Sequence, residues 1–109
     1  MQSFKELGVS EPVVSVLEST GITHPFAVQT LVLPDALAGL DILGEAPTGS
    51  GKTLAFGLPL VERTAGANAQ PGALVLVPTR ELCIQVAADL RPLAKAKGLR
   101  VETVYGGAS

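Results

Sequence analysis

Residues 46 to 53, Ala-Pro-Thr-Gly-Ser-Gly-Lys-Thr, are the stretch of this sequence best equipped for chemistry. Gly49 and Gly51 can take backbone angles closed to other residues, and without a Cβ they let main-chain N–H groups close on an anion. Lys52 adds a charge that would reach the outer phosphates of a nucleotide, and Thr53 adds a hydroxyl suited to Mg²⁺. Thr48 and Ser50 complete the polar turn. Such a loop holds phosphate when a strand leads into it and a helix leads out, and both are readable here. Ile42-Leu43-Gly44 precedes it, and the helix-like run Leu54-Ala55-Phe56-Gly57-Leu58 follows. That helix would turn the positive end of its dipole toward the anion. The general pattern has Gly where Ala46 stands, and the rival reading is a polar turn with no ligand.

The elements that must position this loop follow from apolar spacing and breakers. Phe4, Leu7 and Gly8 open the chain. Ser10 is placed to cap a helix with Glu11 and Pro12 in its first turn, and Val13, Val14, Val16 and Leu17 fall on one face before Gly21. A second helix starts near Pro25. Pro34 is expected to end it and open a short further piece that closes at Gly39. Strands are predicted over Ile42 to Glu45, Ala73 to Val77 and Arg100 to Val104, the middle one continuously apolar as in a parallel sheet buried on both faces. Helices are predicted from Lys52 to Arg63, kinked at Pro59, and from Arg80 to about Lys97. Thr79 would cap the latter, Leu82, Val86, Leu90 and Leu93 would line one face, and Pro92 would kink or split it. Residues 64 to 72 read as a surface loop. Strands alternating with helices imply a parallel α/β sheet whose ligands bind at the strand ends.

With 109 residues the chain is one domain at most, divisible into residues 1–41 and 42–109. Hydrophobic residues make up 47%, but Trp is absent and aromatics are 4%, so Val, Leu and Ala must fill the core. A net charge of −2 argues against a chain-wide basic surface for nucleic acid, while leaving room for a local phosphate-contacting strip. The single cysteine, Cys83, excludes an internal disulfide framework, and we expect it as core filler in a reducing compartment. No secretory leader or membrane-length apolar run is present, which points to a cytoplasmic, membrane-free protein. His24, the only histidine, has no cluster of potential ligands around it in sequence.

Four motifs in order resemble those of one family. Residues 46 to 53 resemble the A-x-T-G-S-G-K-T loop of superfamily two helicases, where Ala regularly replaces the first Gly. Pro78-Thr79-Arg80-Glu81-Leu82 is similar to the P-T-R-E-L motif of DEAD-box RNA helicases. Gly21-Ile-Thr-His-Pro-Phe-Ala-Val-Gln29 resembles that family's Q motif, with Phe4 as its upstream aromatic, and Gly106-Gly107 its G-G pair. The resemblance implies a partial RecA-like P-loop domain: a three-layer α/β unit with about three parallel strands and flanking helices. It implies ATP and Mg²⁺ as ligands, with Gln29 reading adenine, Phe4 stacking on the base and His24 touching the nucleotide through its backbone. Gln29 suits that task because its amide carries both an acceptor and donors. Lys52 and Thr53 would serve catalysis, Thr53 through the metal. Pro78, Thr79, Arg80, Gly106 and Gly107 would hold RNA by its backbone, without reading sequence.

Departures set limits on this. Ile22 stands where the family has Phe or Tyr, and the sequence holds no D-E-A-D or S-A-T motif and no second domain. Phosphoryl transfer in the family needs that acidic motif, so we expect a fragment of a helicase that binds nucleotide and does not unwind. Two other classes stay open. One is a truncated module that self-associates through an exposed sheet edge, as a homodimer or with another protein. The other is a different P-loop enzyme, against which Gln29 and the Pro78–Leu82 run both argue. Lys95, Lys97 and Arg100 are read as a solvated helix end.

Overall fold

The first helix, α1, spans Glu11–Ser19 and starts where the sequence places Ser10 in an extended conformation, φ −70° and ψ 157°. Val13 and Leu17, one turn apart, are its buried pair, while Val14 and Val16 are half-buried beside them. The computed structural model describes residues 2–44, 51–65 and 72–106. Within them α2 spans Ala27–Leu37, α3 spans Lys52–Thr64 and α4 spans Arg80–Ala96. Helix α3 packs against both α2 and α4, and α4 also packs against α1.

The core is aliphatic, as the composition demands. Leu33 on α2, Leu58 and Val61 on α3, and Leu90 and Leu93 on α4 meet Val13 and Leu17 with almost no exposure. Gly57 shows how closely α3 and α4 approach, because a Cβ there would run into the Leu90 side chain. A glycine inside a helix costs about 0.5–1 kcal/mol relative to Ala, and here it admits a leucine from the neighbouring helix. Leu82 is 36% exposed, so only Val86, Leu90 and Leu93 of the predicted α4 face are buried. Cys83 is half-buried and free.

One expectation is corrected: Pro34 does not end a helix. Pro34, Pro59 and Pro92 each lie inside a single continuous helix and neither end nor split one. Each forfeits a backbone bond, but buried leucines flank each site: Leu33 beside Pro34, Leu58 beside Pro59 and Leu93 beside Pro92. Tertiary packing of the adjacent leucine outweighs the local penalty. The predicted sheet is not confirmed. Among the described residues none is in a strand: 42–44, 73–77 and 100–105 carry no ladder. An apolar run becomes a strand only when another segment pairs with its N–H and C=O groups, and these three do not pair with one another. Leu43, Leu74, Leu76 and Val104 are accordingly exposed at 77–99%. The homodimer expected through a sheet edge finds no support among the described residues.

Candidate functional site

Gly51 forms the hinge of the site. It is the N-cap of α3 and sits in the left-handed region, φ 85° and ψ 25°. From it the first turn of α3 sets off, its Ala55 N–H donating to the Gly51 carbonyl at 3.1 Å. Lys52 is exposed at the helix start and Thr53 is half-buried beside it. Thr48, Gly49 and Ser50, the remaining loop residues predicted to bind phosphate, lie outside the described residues.

Gln29 reaches this hinge from the first turn of α2. Its side chain is 2% exposed, and it accepts from the Phe26 N–H through Oε1 at 2.9 Å while Nε2 donates to the Gly51 carbonyl at 3.0 Å. The residue expected to read adenine therefore joins the start of α2 to the start of α3. Among the described residues these are its two contacts, which use one acceptor site and one donor of an amide that carries two of each. His24 is exposed, with Nδ1 3.1 Å from Thr23 Oγ1. His24, Phe26, Gln29, Gly51, Lys52 and Thr53 share one end of a broad open groove. Among the described residues no group of three His, Cys, Asp or Glu could hold a metal ion.

Phe4, expected to stack on a base, lies in the core. Its ring is 3% exposed, packed in the core with Leu7 and Val9, and the Val9 N–H donates to the Phe4 carbonyl at 3.1 Å. Removing that ring from water favours the core over a surface stacking position. Two exposed aromatics line the groove, Phe26 at 54% and Phe56 at 39%, and Phe26 is the one beside Gln29. Sequence reasoning passed over it, although it sits three residues before Gln29.

A second cluster forms at the start of α4. Thr79 accepts from the Leu82 N–H at 3.1 Å, the predicted cap. Arg80 donates through Nη2 to the Gly106 carbonyl at 2.7 Å, and its guanidinium lies 5.3 Å over the Tyr105 ring. Pro78, Thr79, Arg80 and Gly106 are all exposed, so two of the motifs separated in sequence share one surface; Gly107 lies outside the described residues. A guanidinium carries five N–H donors, so one bond to a carbonyl leaves it the chemistry that suits a phosphate.

A third cluster was not foreseen. Glu62 on α3 accepts from both the N–H and the hydroxyl of Ser10, and lies 3.5 Å from Lys97 Nζ. Lys97, expected in a solvated helix end, has a side chain only 24% exposed. No signal in the sequence joins residues this far apart.

Known proteins share this architecture. The chain is similar, at 41% identity over 98% of its length, to the pre-mRNA-processing ATP-dependent RNA helicase prp-5 of Neurospora crassa, and it covers 9% of that protein. Among solved structures, the RNA helicase Prp28 of Chaetomium thermophilum bound to ADP superposes with a TM-score of 0.90 at 37% identity. That match covers 100% of this chain and 28% of the other. A DEAD box protein of Methanococcus jannaschii gives 0.87 at 35% identity, over 100% of this chain and 30% of that one. The chain thus spans less than a third of the length of each relative. Among the described residues no helix is long and apolar enough to cross a membrane. The family model for DEAD/DEAH box helicases matches residues 26–109, from the residue at the start of α2 to the chain's last, and with the Gln29–Gly51 and Arg80–Gly106 contacts this makes the chain a member of the DEAD/DEAH box helicase family.

Proposed function

We propose that this chain is the ATP-binding portion of an ATP-dependent RNA helicase, with part of its RNA-contacting surface. The observation that carries the reading is the bridge from Gln29 to Gly51, which joins a residue able to read adenine to the hinge before Lys52 and Thr53. The site fits a nucleotide on its own residues. Gly51 leaves room for the Gln29 and Phe26 side chains to close on it, the first turn of α3 presents its N-terminal end, and Lys52 stands exposed beside it. The Thr53 hydroxyl would hold Mg²⁺ together with phosphate oxygens. The metal, when bound, supplies charge neutralisation for phosphoryl transfer. Lys52 would bind and orient the outer phosphates, and Gln29 would read the base through an amide that carries both an acceptor and donors. Thr48, Gly49 and Ser50, outside the described residues, would bind the same phosphates.

RNA is the second ligand in this reading. Pro78, Thr79, Arg80 and Gly106, joined by Gly107, would contact the sugar–phosphate backbone with no base readout, as suits a helicase that must act on any sequence. In the complete protein a second helicase domain would close on the same nucleotide and RNA, and the sheet of a RecA-like unit would complete itself around the apolar runs at 42–44, 73–77 and 100–105. By itself the chain binds nucleotide and does not unwind, because it has no acidic motif for hydrolysis.

Titration of the chain with a fluorescent ADP analogue, with ATP and GTP as competitors, tests this. Saturable binding that ATP displaces better than GTP, and a Gln29→Ala variant that no longer discriminates, are expected. Absence of saturable binding at millimolar nucleotide, or discrimination unchanged in Gln29→Ala, would overturn the reading.

A further inference from the structure

The start of α2 breaks a local rule. Its N-cap residue is Phe26, at φ −74° and ψ 165°, in the position where Ser, Thr, Asp or Asn accepts a bond from the first turn. A phenyl ring accepts none, and only the Gln29 side chain, bonded back to the Phe26 N–H, satisfies a donor there. The ring does not repay this by entering the core, since Phe26 is 54% exposed. What it does approach is Gly51. A Cβ added to Gly51 would stand 2.8 Å from Phe26 Cδ2, with Gln29 Nε2 also in its way. Two side chains from one turn of α2 thus close on the residue that launches α3, one by hydrogen bond to its carbonyl and one by contact. Local preference sacrificed next to a candidate site is where function is to be sought.

We propose that Phe26 is a positioning residue. Its ring, together with Gln29, holds Gly51 in the left-handed conformation and so fixes how the first turn of α3, Lys52 and Thr53 face the groove. The consequence for nucleotide affinity rests on the function proposed above; the hold on Gly51 does not.

Phe26→Ser separates this role from a merely structural one, because it installs the missing helix cap while removing the ring. The positioning role predicts that helix stability is kept or raised while the hinge loosens. In the ligand-free chain, amide exchange at Ala55, which donates to Gly51, accelerates about tenfold in Phe26→Ser, with α1 and the middle of α4 unchanged. Affinity for the fluorescent ADP analogue falls about fivefold as preorganisation is lost, without a lower thermal midpoint. Phe26→Tyr, which keeps the ring, restores both. Should Phe26→Ser lose helical circular dichroism, Phe26→Ala replaces it in both measurements. Wild-type exchange at Ala55 in the ring-less variant, or failure of Phe26→Tyr to restore it, overturns the proposal. If the unmodified chain binds no nucleotide, the functional reading falls, and the exchange measurement still decides the role of Phe26.

Discussion

Replacing Glu62 with Ala is the sharpest probe of how these helices are held. Both carboxylate oxygens are used: Ser10 Oγ donates to Oε1 at 2.8 Å, the Ser10 N–H donates to Oε2, and Lys97 Nζ stands 3.5 Å from Oε1. The Glu62 side chain is 11% exposed, so water cannot take over these contacts in the native state. Hydrogen bonds to a charged group contribute about 1.5–3 kcal/mol each. The partly exposed pair with Lys97 adds about 0.5–1 kcal/mol. Two bonds at the lower bound plus the pair come to about 3.5–4 kcal/mol, and rehydration of Ser10 and Lys97 in the variant returns part of it. We expect a loss of about 3 kcal/mol, in line with breaking a buried pair from one side. For a domain of this size that corresponds to a fall of roughly 12 °C or more in the thermal midpoint. Glu62→Gln, which keeps an acceptor but no charge, should lose about 1–2 kcal/mol. Urea denaturation followed by far-ultraviolet circular dichroism measures both, and a cycle with Lys97→Met isolates the ion pair. A Glu62→Ala loss below about 1 kcal/mol would refute the reasoning, because it would rank Glu62 with exposed surface charges.

Gly51→Ala meets two obstacles at once, a left-handed backbone and the side chains of Phe26 and Gln29, and should cost about 2–3 kcal/mol by the same denaturation assay. If RNA binds at the start of α4, Arg80→Ala should lower the slope of log affinity against log salt by about 1 for single-stranded RNA, measured by fluorescence anisotropy. Its stability should stay within about 0.5 kcal/mol, since the side chain is exposed. Glu6 responds to pH: the Ser3 N–H, and secondarily the Ser3 hydroxyl, hold its carboxyl below the ordinary carboxylate value. A depressed folded-state value gives stability present above the unfolded value and lost as pH falls through the folded one. Glu6→Gln should therefore flatten the acid limb of the stability profile, read from urea midpoints at a series of acidic pH values.

What the sequence determined by itself was local. The Thr79 cap, the helix starts at Glu11, Lys52 and Arg80, and the one-turn spacing of Val13 and Leu17 were all legible, because each depends on residues within a turn or two. The motif order from Gln29 through Lys52 to Arg80 was legible as well, and it was enough to point to the helicase family that the comparisons bear out. What only the tertiary structure decided was every contact between distant residues. Phe4 is buried because Leu7 and Val9 pack with it, while Phe26 and Phe56 are exposed at the groove. Pro34, Pro59 and Pro92 stay within helices because neighbouring helices bury the leucines beside them. The apolar runs predicted as strands remain unpaired among the described residues, since hydrophobicity records a need for burial and says nothing of which segment will supply the ladder. Spacing along the chain carries the preferences of one turn, whereas a hinge such as Gly51, gripped from α2 by two side chains, exists only once the helices have met.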